Sequence, residues 1–231
     1  LKAYWDAEVI RDVIGTSLLT SAAVGAPPTW VLSNHDVWRP VTRFAPWLDA
    51  ETIDVEAGRR RSLAMSLLSL ALPGSAYLYQ GEELGLLEVA DLDRAALQDP
   101  VWERSGHTLK GRDGCRVPLP WTVDGPSFGF GPGSAWLPQP EWFAGLSVEA
   151  QSGDPDSTLA LYKQALLLRR ALNADDSGVD WIETDDPEVL HFARRNGWHA
   201  VVNFSDRPRP LPPGRVVLAS RLQAGAEGVQ A

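Results

Sequence analysis

Seven consecutive residues, Ser33-Asn34-His35-Asp36-Val37-Trp38-Arg39, place an amide, an imidazole, a carboxylate and a guanidinium side by side. A carboxylate accepts from two hydroxyls at once while imidazole and guanidinium donate, so this set suits a polyol. The same residue types also build turns: Asn34 and Asp36 favour loop conformations, and His35 then reads as a loop histidine satisfied by its neighbours. On these seven residues alone the turn reading is the better one. A second polar cluster, Gln80-Gly81-Glu82-Glu83, brings two adjacent carboxylates, which read as ties between loops rather than as catalysts. Farther on, Asp113 is expected to order its loop by pairing with an arginine. Cys115 has no His or Asp at a spacing that would make it a nucleophile, so a plain buried thiol is expected. The acidic residues show no EF-hand-like or clustered ligand spacing, so neither a metal nor a cofactor is expected.

These clusters need elements to hold them. Asp6 can cap a helix whose positions Val9, Ile10, Val13, Ile14, Ser17 and Leu18 keep i, i+3, i+4 spacing, stopped by Gly25 and Pro27-Pro28. Trp30-Val31-Leu32 reads as a short strand buried on both faces, as in a parallel sheet, and it ends in the Ser33–Arg39 cluster. A helix from Glu56 to Leu72 ends at Pro73-Gly74, and a second strand, Ala76–Tyr79, runs into Gln80–Glu83. Helix, strand, helix, strand implies parallel strands with helical crossovers, the arrangement that puts polar residues at strand carboxyl ends. Residues 85–155 break the rhythm with Gly, Pro, Trp and Asp, and so long a connection is usually functional. A third helix, Ser157–Leu172, is capped by Asp156 or Ser157 and carries the stripe Leu161, Ala165, Leu168, Leu172. Past a boundary near 174–178, Trp181-Ile182, Val189–Phe192, His199–Phe204 and Val216–Leu218 read as antiparallel strands, with a hairpin at Asn196-Gly197.

The 231 residues carry 21 Lys and Arg against 30 Asp and Glu, a net charge of −9, which argues against nucleic acid or an anionic membrane as partner. No apolar stretch is long enough to span a bilayer, and the single cysteine fits a reducing compartment; a cytoplasmic location is expected. Ten Trp against 4 Tyr and 6 Phe is an unusual ratio. Most are expected to pack in the core or against loops, although the indole face also suits stacking on sugar rings.

The stretch APPTWVLSNHDVWRPVTR resembles the region at the end of the seventh barrel strand in the α-amylase superfamily, glycoside hydrolase family thirteen. LPGSAYLYQGEELG resembles that family's eighth strand and its Gly-Glu-Glu turn. DPVWERSGHTLKGRDGCRVPLPW, SAWLPQPEWFAGLSVEAQ and DPDSTLALYKQALLLRRAL are similar to the loop after strand eight and the run into the eighth helix in the α-glucosidase and oligoglucosidase branch. The motifs cover roughly residues 1–220 in order. The resemblance implies an α/β plus all-β chain. Residues 1–175 would be the C-terminal part of a (β/α)8 barrel (strands seven and eight with their helices), and residues 176–231 an antiparallel β-sandwich-like domain, incomplete at its Ala- and Gly-rich end 221–231.

By the same resemblance Asp36 is the transition-state-stabilising carboxylate and His35 a substrate-binding histidine, with Arg39 and Arg112 near the sugar subsites. Retaining glycosidases also need a nucleophile and an acid/base about 5 Å apart. The family carries these on earlier strands, and Asp6, Glu8 and Asp12 are cap or surface residues of a helix, so both groups are expected to be absent here. A whole barrel takes roughly 250 residues, so a C-terminal fragment is the expected reading. The expected activity is that of a retaining α-glucosidase acting on short α-linked gluco-oligosaccharides, the chain alone being inactive. A trehalose- or sucrose-acting transferase or isomerase, and a non-catalytic sugar-binding module, are the alternatives.

Overall fold

The computed structural model describes residues 5–172 and 178–221, which fall into two compact units. One is built from 32–62 and 78–163, the other from 5–31, 63–77 and the described residues from 164 onward. The expected domain boundary near 174–178, residue 178 apart, and most of the Ala- and Gly-rich end lie outside the described residues.

The second unit opens with α1 (Ala7–Ala23), where Asp6 accepts from the Val9 amide at 3.0 Å, as a cap should. Its periodicity holds, but only Ala7 and Ile14 are buried, and Val13 stays exposed. Strand β1 (Thr29–Val31) pairs in parallel with β2 (Ser75–Tyr77), in register Thr29↔Ser75 and Val31↔Tyr77. The Trp30 indole donates to the Pro73 carbonyl at 2.6 Å and is buried. Thr29 and Val31 are exposed, so the expectation of a strand buried on both faces is corrected: only the face that carries Trp30 is covered. The turn into β2 depends on Gly74, whose φ of +89° suits glycine and whose missing Cβ leaves room for the Pro28 carbonyl.

The same unit holds an antiparallel sheet, β3 (Asp180–Trp181), β4 (Val189–Ala193) and β5 (His199–Asn203), in that order. The expected hairpin joins β4 to β5, with Gly197 at φ +87°. Leu190, Phe192, Val202 and Phe204 form its buried face, against which Trp5 stacks with its ring 4.6 Å from Phe204. Val216–Leu218, expected as a further strand, is irregular, and Val216 and Val217 are exposed. The run Pro208, Pro210, Pro212, Pro213 before it lacks the amide donors that a ladder needs.

Helix α3 (Val55–Ala71) runs through both units in sequence. Arg169, on α6 (Thr158–Leu172), donates to the carbonyls of Leu70, Leu72 and Gly74, and Arg194 to that of Ala71, so two cations satisfy the helix's unpaired C-terminal end. Between Ser157 and Asp156 as cap of α6, the structure selects Ser157, whose hydroxyl accepts from the Ala160 amide.

The first unit contains α2 (Pro40–Phe44), α4 (Val101–Arg104), α5 (Val148–Gln151) and several single 3₁₀ turns, so the long stretch after β2 is irregular as expected. It is nonetheless packed. Leu84, Leu86, Val89, Leu92, Val117, Leu119, Leu137, Phe143 and Leu159 make one buried cluster. No helix among the described residues is long and apolar enough to cross a membrane. Replacing Gly74 by Ala forces a side chain into a left-handed backbone and onto Pro28. We expect a loss of about 1–3 kcal/mol, read as a lower urea midpoint with an unchanged slope.

Candidate active-site rim

Within the first unit, the residues after β1 turn sharply because the Asn34 side chain accepts from the Asp36 amide at 2.8 Å. Asn34 is thus a turn former, and it presents the next two side chains outward. Asp36 is 46% exposed and His35 68% exposed, with His35 Nε2 at 3.5 Å from Asp36 Oδ2. The expectation of an internally satisfied loop histidine gives way to a histidine facing solvent beside a carboxylate.

Asp36 does not stand free. Its Oδ1 accepts from Arg112 Nη1 at 2.6 Å and from Arg116 Nη2 at 3.3 Å. Arg116 also donates through Nε to the His35 carbonyl at 2.9 Å, fixing the turn's backbone. Both arginines are held from below by Asp99, whose side chain has no solvent exposure. Arg112 Nε lies 2.6 Å and its backbone amide 3.0 Å from Asp99 Oδ2, and Arg116 Nη1 lies 3.7 Å from the same oxygen. This bonding drives the Asp99 carboxyl far below the usual carboxylate range and the Arg112 guanidinium above its ordinary value. Asp113 forms the next layer down: its Oδ2 accepts from the Gln98 and Asp99 amides at 2.6 and 2.8 Å. The expected arginine partner of Asp113 is therefore corrected. Asp113 orders the loop through backbone amides, and Asp99 is the arginine-binding acid.

Local geometry brings these groups together. A 3₁₀ turn over Asp113–Cys115 sets Arg112 and Arg116 four residues apart. Gly111, at φ +82°, lies against Asp99 and Val101 so closely that a Cβ would sit 2.6–2.8 Å from them. Cys115 is the expected buried thiol: it donates to the Arg112 carbonyl at 3.1 Å, and burial pushes its pKa up to about 11.

Arg39 differs from the other expected sugar contacts. Its side chain is buried (1% exposed) and donates to the carbonyls of Gln80 at 2.7 Å and Val117 at 3.4 Å, so it supports the rim from inside. Burial lowers its pKa. Glu82 and Glu83 are the loop ties expected of them. Glu82 accepts from the Ser33 hydroxyl and the Tyr79 amide, and Glu83 accepts from the Gly81 amide at 2.8 Å. Sequence reasoning missed Asp99, Arg116 and Glu88. Glu88 accepts from the Arg39 amide at 3.0 Å, and burial raises its pKa to about 7. Asp99 and Arg116 frame the loop motif already singled out, and their partnership spans seventeen positions. Among the described residues no group of three His, Cys, Asp or Glu side chains is placed to hold a metal.

With this geometry in place, the comparisons give the class. Residues 13–176 match the family model described as alpha amylase, catalytic domain, and the chain belongs to the α-amylase family, glycoside hydrolase family 13. The relatives it matches include α-glucosidases and oligo-1,6-glucosidases. It is 39% identical over 217 residues to a probable alpha-glucosidase of Rhizobium meliloti (strain 1021), covering 91% of this chain and 36% of the relative. With an oligo-1,6-glucosidase of Parageobacillus thermoglucosidasius it shares 28% over 197 residues, covering 76% and 34%. Among solved structures, an alpha-glucosyl transfer enzyme, XgtA, has a TM-score of 0.72 at 36% identity, over 92% of this chain and 38% of that one. An isomaltulose synthase mutant from Erwinia rhapontici NX5 gives 0.70 at 20%, over 88% and 39%, a likeness of fold alone. The chain spans a little over a third of the length of these relatives, and its fold is part of an α-amylase fold.

Glu88 generates a pH test. Its carboxyl holds a proton in the folded state up to about pH 7, against an ordinary value of 4.5, so the native chain binds more protons in that window. Stability therefore falls as pH rises from about 4.5 to about 7, by on the order of 3 kcal/mol from this group. Glu88→Gln removes that slope: urea midpoints at pH 5 and pH 8 should lie closer together in the variant than in the parent chain.

Proposed function

We infer that this chain is the sugar-gripping portion of a retaining α-glucosidase acting on terminal α-glucosidic bonds of short oligosaccharides. Residues 1–175 are the last two strand–helix units of its barrel, and residues 176–231 its antiparallel β-domain. The observation that carries the reading is the exposed Asp36 carboxylate, anchored by Arg112 and Arg116 on a fully buried Asp99.

The arginines occupy Oδ1 and fix the plane of the carboxylate, leaving Oδ2 to accept from sugar hydroxyls, with His35 beside it as a donor. As the glycosidic bond breaks, positive charge grows on the sugar ring, and a carboxylate already in place stabilises it without reorganising. Arg112, half exposed, lies within reach of the same sugar. Arg39 acts only as support. Asp99 fits neither of the two bond-breaking roles, because its side chain is enclosed and saturated by arginine. The nucleophile and acid/base are accordingly proposed to lie outside these 231 residues.

One observation favours a second reading, transfer of the glucosyl group to another sugar instead of water: the 36% identity to a glucosyl transfer enzyme. Both readings use Asp36 in the same way, and product analysis on maltose with the longer protein separates them.

The chain should bind maltose saturably in a calorimetric titration, and Asp36→Ala should weaken that binding at least about tenfold, as expected for a lost charged hydrogen bond. It should release no nitrophenol from p-nitrophenyl α-glucoside. Robust turnover would place the missing acids within this chain, and absence of maltose binding would remove the gripping role.

A further inference from the structure

The loop following the rim borders an open, shallow pocket of about 330 Å³ that the Asp36 site does not use, lined by Ser127, Phe128, Ser134, Ala135, Pro138 and Gln139. Three large aromatic side chains of the same loop stay in water: Trp121, Phe130 and Trp136 are 49, 52 and 57% exposed. Their backbones are tied to the lining. The Trp121 and Thr122 amides both donate to the Phe128 carbonyl, at 2.7 and 2.9 Å, the Phe130 amide donates to the Ser127 carbonyl, and Trp136 directly follows Ala135. Single exposed rings need no explanation, but three in one loop beside a pocket mark a binding surface.

The loop is also held stiffly. Ser127 and Phe128 both lie at positive φ (50° and 47°), a conformation that costs energy for side-chain-bearing residues and persists only where the surroundings impose it. The Ser127 hydroxyl donates to the Gly133 carbonyl, the Phe128 amide donates to the Gly125 carbonyl at 3.2 Å, and the Phe128 ring packs on the buried cluster. A preformed loop binds without the cost of ordering. Its chemistry names the ligand class. Residues 125–140 carry no charged side chain; hydroxyls, one amide and aromatic faces remain. That combination disfavours an anion or a charged peptide, and it matches a neutral polyhydroxylated ring with one apolar face.

We propose that this loop is an accessory carbohydrate subsite, stacking glucose units of an α-linked oligosaccharide on Trp121, Phe130 and Trp136 while Ser127, Ser134 and Gln139 meet their hydroxyls. The proposal rests on the sugar-gripping reading of Asp36 and extends it to chain length. Arg116, which holds Asp36, and Trp121 are five residues apart, at most roughly 17 Å of extended chain, so one oligosaccharide engages both places.

Calorimetric titration of the full 231-residue chain with maltose and with maltohexaose tests it. Maltohexaose should bind about tenfold more tightly. Trp136→Ala, and separately Trp121→Ala, should erase that advantage and leave maltose affinity unchanged, while Trp136→Tyr should restore it. Circular dichroism on each variant verifies the fold, which half-exposed rings do not determine. Asp36→Ala should weaken both sugars. Unchanged maltohexaose affinity in a folded Trp136→Ala chain overturns the accessory subsite and leaves the rim reading standing. Asp36→Ala without effect on maltose overturns the rim reading, and absence of binding by either sugar overturns both.

Discussion

The enclosed carboxylate of Asp99 is the constraint on which the rim depends. An ionised acid removed from water is costly unless charge and hydrogen bonds surround it, and here two guanidiniums and two backbone amides do so. Because Arg112 and Arg116 must stay with Asp99, their outer nitrogens have a fixed location, and Asp36 takes its position from them. Charge therefore alternates from the interior to the surface: Asp99, then the arginines, then Asp36. The exposed acid is positioned by electrostatics begun two layers beneath it.

Steric permission comes from glycine. Gly111 admits Asp99 to its place, and Gly81 lets the Arg39 guanidinium lie where a Cβ would overlap it. Arg39 in turn gathers the Gln80 and Val117 carbonyls, so that the segments after both short strands share one buried cation. Glu82 and Glu88 occupy the same interior with raised pKa values, each bound to a neighbour by an amide or a hydroxyl. The rim's outward face is polar and its foundation is a compact set of buried ionisable groups, which is costly to assemble and correspondingly resistant to drift.

Local chemistry was the legible part of the sequence. Asp6 as a cap, Gly197 at a hairpin and the helical stripe of α6 are decided within a few residues, and the structure has them all. Asp36 and His35 stood out because several functional groups fell within one short run. What stayed hidden was long-range. Arg39 and Arg112 look alike in sequence, yet one is enclosed and the other half exposed, and only the fold separates them. Asp113 and Asp99 could each have been the arginine's partner, and the difference is which carboxylate faces the guanidiniums. Val216–Leu218 has strand composition and follows a run of prolines, so composition alone misled.

Cys115 carries a practical consequence. It is the chain's single cysteine, it is enclosed, and its thiol stays protonated at neutral pH. Thiol reagents attack the deprotonated form, so the native fold shields this position from alkylation and oxidation. The protein is thereby a quiet background for spectroscopy: a cysteine introduced anywhere on the surface would take a fluorophore or spin label alone, with no need to engineer the natural one away.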